Sequence, residues 1–188
     1  MKNLVIFGSG SGSNAENICA YFKRSSKINV VCIVTNNKNA FIVDRAKKLN
    51  IPVLYITMYD LTEFSSLYQK LNKFCVDYII LAGFLLKIPS KFIRCYPKKI
   101  INVHPSLLPK YGGKGMYGRN VHKAVLENRD CESGISIHFV NENYDQGEVV
   151  LQKRYTLSFD ETVDSLEKNV RDLEFEYFPR TIEKIVLS

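Results

Sequence analysis

Apolar residues in this chain fall into two rhythms. Unbroken runs at Leu4-Val5-Ile6-Phe7, Val30-Val31-Cys32-Ile33-Val34, Val53-Leu54-Tyr55-Ile56 and Tyr78-Ile79-Ile80-Leu81 are those of parallel strands buried on both faces. Between them the spacing becomes helical. One face carries Ile18, Tyr21 and Phe22. A second helix, over 38–49, turns Phe41, Ile42, Ala46 and Leu49 inward, and a third, over about 60–73, carries Leu61, Phe64, Leu67, Tyr68 and Leu71. A short helix after Pro89 leads to a strand at 99–103. Strands alternating with helices of this length predict an α/β fold, a Rossmann-like and mostly parallel sheet flanked by helices. Later the rhythm changes. Residues 133–140 alternate, with Ser136 and His138 on one face, and 148–153 return as a strand, so an antiparallel addition is expected in the C-terminal third. A last helix spans roughly 161–186, with Pro179 expected to kink or break it. No repeat or linker divides the chain, and residues 1–188 read as one domain.

Composition narrows the function without naming it. The chain is 46% apolar and 24% charged, as in ordinary globular proteins. No run approaches the roughly 20 apolar residues that span a membrane. The N-terminus reads as a strand and not as a signal peptide. Five cysteines, with no Cys-x-x-Cys, read as reduced and mostly buried thiols of a cytoplasmic protein. The net charge of +7 is spread along the chain without a dense basic run. That favours a solvated basic surface or steering of small anions over a nucleic-acid partner.

Two stretches carry chemistry. Gly8-Ser9-Gly10-Ser11-Gly12-Ser13-Asn14 joins a strand to a helix, where free N–H groups and a positive dipole end favour an anion; Ser13 and Asn14 are both candidate N-caps. It is neither a Walker A loop nor G-x-G-x-x-G, and strand two ends without the acid that would hold a nicotinamide ribose, so a monophosphate fits better than a dinucleotide. The second stretch is Ile100-Ile101-Asn102-Val103-His104-Pro105-Ser106. Asn102 and His104 share a strand face, and Pro105 ends the strand there, at the mouth of the sheet where ligands bind. A long loop over 107–118, rich in Gly, Lys and Tyr, follows. His104, His122 and His138 lack metal-site spacing, and no G-x-S-x-G elbow exists; neither a metal centre nor a serine hydrolase is expected.

Gly-Ser-Gly-Ser-Asn (10–14), Leu-Ala-Gly-Phe (81–84), Asn-Val-His-Pro-Ser-Leu-Leu-Pro (102–109) and Ser-Ile-His-Phe-Val through Tyr-Asp-Gln-Gly (136–147) occur in that order. Together they resemble the phosphoribosylglycinamide formyltransferases of the folate-dependent formyltransferase superfamily. The resemblance implies a formyltransferase fold and transfer of the formyl group of 10-formyltetrahydrofolate to the amine of 5'-phosphoribosylglycinamide, in purine biosynthesis. It implies small-molecule partners, no membrane or metal, and a monomer or homodimer. Superfamily members acting on tRNA or hydrolysing the folate carry extra domains for which 188 residues leave no room. Hydrolysis of the formyl folate and a non-catalytic ligand-binding module are the alternatives. By position, Asn102, His104 and Asp145 match the catalytic residues, with His104 donating best as imidazolium. Gly12, Ser13, Asn14 and Glu174 match those that hold phosphate and ribose. Phe84, Leu85, Leu86, Lys87, Ile88, His138, Val140, Asn141 and Asp145 match the folate pocket. An arginine that some members place before the third main helix is absent from 57–66; Lys110, Lys114 and Arg171 are candidates to replace it. The 112–120 loop reads as a mobile flap.

Overall fold

The computed structural model describes residues 1–188, the Phe64 side chain excepted, so the place expected for that side chain lies outside the described residues. Seven strands, β1 (Lys2–Phe7), β2 (Ile28–Thr35), β3 (Val53–Tyr55), β4 (Tyr78–Leu81), β5 (Ile100–His104), β6 (Glu132–Phe139) and β7 (Val149–Thr156), form one sheet. Their order is β3-β2-β1-β4-β5-β6-β7. The first five are parallel, and β6 and β7 are antiparallel additions. The helices are α1 (Ser13–Phe22), α2 (Phe41–Lys48), α3 (Met58–Thr62), α4 (Phe64–Asn72), α5 (Ser90–Cys95), α6 (Arg119–Glu127) and α7 (Val163–Leu187).

Strand alternation divides the core in two. Leu4, Ile6, Ile33, Ile80, Ile101, Val103, Ile135 and Ile137 pack under α1, α2, α6 and α7. Val5, Phe7, Cys32, Val34, Ile79, Leu81 and Ile100 pack under α4 and α5. Each such fully buried side chain stabilises the fold by roughly 1.5–3 kcal/mol. Strand order reverses between β1 and β4, which opens a crevice beyond their C-terminal ends. On β5, Val103 enters the first core, while Asn102 and His104 project to the opposite side with Ile100.

Several elements depart from the apolar pattern. The helix expected over 60–73 is two, because Glu63 leaves helical geometry (φ −87°, ψ 86°) and a capping box of Thr57 and Asp60 starts α3 separately. Phe41, expected inward, is 73% exposed at the first position of α2, and Tyr21 turns outward to donate to Glu183 (2.7 Å). Strand β6 is buried on both faces, so Ser136 and His138 are core residues. Ser136 Oγ donates to the Ser106 carbonyl (2.7 Å) and accepts from Leu108 N (2.9 Å), which fastens the loop after β5. Only Cys19 and Cys32 are buried, their thiols pushed up to about 12 by desolvation; Cys75, Cys95 and Cys131 are exposed. Helix α7 runs unbroken through Pro179. Proline removes the N–H that would reach Phe175 O, and Asn17 Nδ2 from α1 takes that carbonyl instead (2.8 Å). Among the described residues no helix is long and apolar enough to cross a membrane.

Candidate active site

The loop between β1 and α1 holds its shape by close packing on α2. Gly12 is the N-cap, with φ 74° and ψ 17°, a conformation that suits glycine. A Cβ there would meet Ile42 backbone and side-chain carbons at 2.6–2.7 Å. Ser13 and Asn14, read as candidate caps, are instead the first helical residues. Their side chains are free of capping duty, and the first-turn N–H groups have no partner within the helix. Asn14 Nδ2 donates across to Glu174 Oε2 (2.6 Å), while Asn14 Oδ1 is buried without a partner. Burial pushes the Glu174 carboxyl up to about 7, against the Asn14 hydrogen bond and the nearby Arg171 charge.

At the tip of β5, His104 is only 4% exposed. Its Nε2–H donates to the Tyr111 carbonyl (2.7 Å), which leaves Nδ1 facing Asp145 Oδ2 at 3.6 Å. Asp145 Oδ2 also accepts from Gly113 N (2.9 Å), so one carboxylate spans the histidine and the 112–118 loop. Tyr111 and Asp145 both adopt left-handed backbone, φ 54° and 53°, costly for non-glycine residues and of the kind that collects at functional sites. His138 lies behind. Its Nδ1–H donates to the Phe139 carbonyl (2.9 Å), so Nε2 accepts from Asn102 Nδ2 (3.0 Å). One amide hydrogen of Asn102 is thereby fixed, and the second remains to donate into the cavity.

Burial holds the His104 pKa below its ordinary value, with Asp145 and the Tyr111 carbonyl only partly offsetting it. His104 is therefore mostly neutral at pH 7, and not the imidazolium that the resemblance favours. Asp145 is shifted the other way. Desolvation would raise it, but the His138 ring, whose Nε2 is 3.7 Å from Oδ1, the His104 ring and the Gly113 N–H together hold it below the usual carboxylate range.

These groups line one cavity of about 590 Å³, within the range of small-molecule sites. Its wall includes Gly12, Ser13, Asn14, Phe84, Leu85, Asn102, His104, Asp145 and Glu174. Other expected folate residues stand behind or beside it: Leu86 and Val140 pack into the core, Ile88 is 3% exposed, and His138 sits beneath Asn102. Lys87 lies over the Tyr144 ring (5.5 Å), and Asn141 Nδ2 donates to the Gln146 carbonyl (2.9 Å), closing the turn that contains Asp145. Of the candidate cations, Lys110 pairs with Asp130 outside the cavity, whereas Lys114 and Arg171 line it with no ion pair among the described residues. The sequence reading missed Tyr111 and Gly113, which act through backbone atoms, and the wall formed by His122, Glu167 and Val170. Glu167, Arg171 and Glu174 recur at helical spacing, a polar stripe that periodicity alone could have revealed. Among the described residues no group of three or more His, Cys, Asp or Glu side chains is arranged to hold a metal ion.

A family model described as formyl transferase matches residues 2–182. The chain belongs to the formyl transferase family. Among formyl transferases, it is 39% identical to the chloroplastic phosphoribosylglycinamide formyltransferase of Arabidopsis thaliana, covering 98% of this chain and 65% of that one. The Vigna unguiculata enzyme is covered to 61%, so the chain spans somewhat less than two thirds of these plant relatives. Against the phosphoribosylglycinamide formyltransferase of Haemophilus influenzae the identity is 31%, covering 97% of this chain and 86% of that protein. Glycinamide ribonucleotide transformylase 1 of Geobacillus kaustophilus superposes with a TM-score of 0.89 at 29% identity, covering 99% of both chains. The mixed sheet is thus the formyl transferase fold expected from the motifs.

Proposed function

We propose that this formyl transferase moves the formyl group of 10-formyltetrahydrofolate to the primary amine of 5'-phosphoribosylglycinamide; the acceptor is the one that its relatives' names carry. The carrying observation is that one cavity joins an anion-type helix end to a buried Asn–His–Asp constellation. The substrate phosphate takes the N–H groups at Gly12, Ser13 and Asn14, with charge from Lys114 and Arg171; Glu174 accepts from the ribose hydroxyls. The folate enters past Phe84, Leu85 and Tyr144.

Chemistry follows from the two free atoms described above. The amine nitrogen attacks the formyl carbon, and the carbonyl electron pair moves onto oxygen, where the second Asn102 N–H stabilises it. Neutral His104 accepts the amine proton at Nδ1, and the Asp145 carboxylate stabilises the resulting imidazolium. Collapse breaks the bond to folate N10, which takes the proton from His104. A neutral starting histidine suits this sequence, because it is base first and acid second. With the residues in these roles, Asn102→Ala lowers kcat by roughly 10²–10³ and His104→Ala by roughly 10²–10⁴. Turnover of either variant within a few-fold of wild type would refute the assignment.

A further inference from the structure

Arg45 holds the glycine loop from outside the cavity. It lies on α2 one turn beyond Ile42, whose N–H donates to the Gly10 carbonyl (3.2 Å). Arg45 Nε donates to the Ser11 carbonyl (2.9 Å), and its Nη1 pairs with the Glu16 carboxylate. Glu16 belongs to the first turn of α1. An uncompensated carboxylate there occupies the positive end of the helix and repels an incoming phosphate dianion. Ser11 carries a second liability, since its peptide must be held so that the following N–H groups face the cavity.

We propose that Arg45 is a positioning residue for phosphate: it neutralises Glu16 and pins the Ser11 peptide, while touching no substrate atom. The inference rests on the ribonucleotide reading above. Arg45 does not line the cavity, unlike Ser11 and Asn14, so its effect passes through its two partners. Removing it loosens the loop and unmasks a negative charge together. Neutralising Glu16 as well reverses the second effect, which a purely mechanical strut would not permit.

The test measures ribonucleotide binding and steady-state kinetics for Arg45→Met, Arg45→Lys, Glu16→Gln and the Arg45→Met/Glu16→Gln double variant, each checked for a cooperative melt. Arg45→Met is expected to raise the ribonucleotide Kd and KM about tenfold, equivalent to about 1.4 kcal/mol, with kcat changed less than threefold. Arg45→Lys keeps the charge and stays within about threefold of wild type; the double variant recovers to a similar level. Unchanged binding in Arg45→Met, or a double variant as weak as the single, overturns the role assigned to Arg45. Wild-type protein that binds formyl folate but not the ribonucleotide overturns the substrate reading instead, so the two failures are distinguishable.

Discussion

At the scale of single residues, Glu174 shows how a buried carboxyl in a cavity wall weakens the protein that carries it. Its carboxyl titrates near 7 in the fold, against 4.5 for an ordinary glutamate. The native state therefore holds the proton more tightly than the unfolded chain, and stability falls as pH rises from about 4.5 to 7 and stays lowered above that. Glu174→Gln keeps an acceptor for Asn14 and removes the buried charge. Discounted for partial solvent access, the gain is on the order of 1–2 kcal/mol. Denaturant melts at pH 8 should find the variant more stable than wild type, and the two should converge at pH 4.5. A pH-independent difference would contradict this. The same carboxylate is the proposed partner of the ribose, so the gain in stability comes with weaker substrate binding.

Among elements, the contact between α1 and α7 fixes one wall of the cavity. Asn14, Asn17 and Tyr21 form a helical stripe that meets Glu174, Phe175 O and Glu183. Asn17 makes the proline in α7 tolerable by donating to the orphaned carbonyl. Asn17→Ala leaves Phe175 O without that donor, and urea unfolding should report a loss of about 1–3 kcal/mol; a loss below about 0.5 kcal/mol would mean that another donor replaces it. This contact also marks a limit of sequence reading. Parallel strands announce themselves as local apolar runs, but the amide that takes the Phe175 carbonyl comes from 158 residues away. Phe41 misled for a related reason: its helical phase was inward, but α2 begins at that residue and Ile42 beside it fills the space under Gly12.

For the whole molecule, the sheet order converts separate motifs into one site. Asn102, His104 and Asp145 were legible because side-chain identity carries their chemistry, and the glycine loop because glycine spacing does. Tyr111 and Gly113 were not, since a carbonyl and an N–H are common to nearly every residue; only the fold brings them to His104 and Asp145. Strand reversal between β1 and β4 sets the glycine loop beside the tip that carries Phe84, and β5 brings Asn102 and His104 next to it. The central claim is that the nucleophile admitted to this cavity is the ribonucleotide amine and not water. It is tested most directly by following formyl-group fate from 10-formyltetrahydrofolate with and without 5'-phosphoribosylglycinamide. Formylated ribonucleotide should appear in step with folate consumption, and formate release should be roughly a hundredfold slower or more when the ribonucleotide is omitted. Formate released at the transfer rate without the ribonucleotide would contradict it.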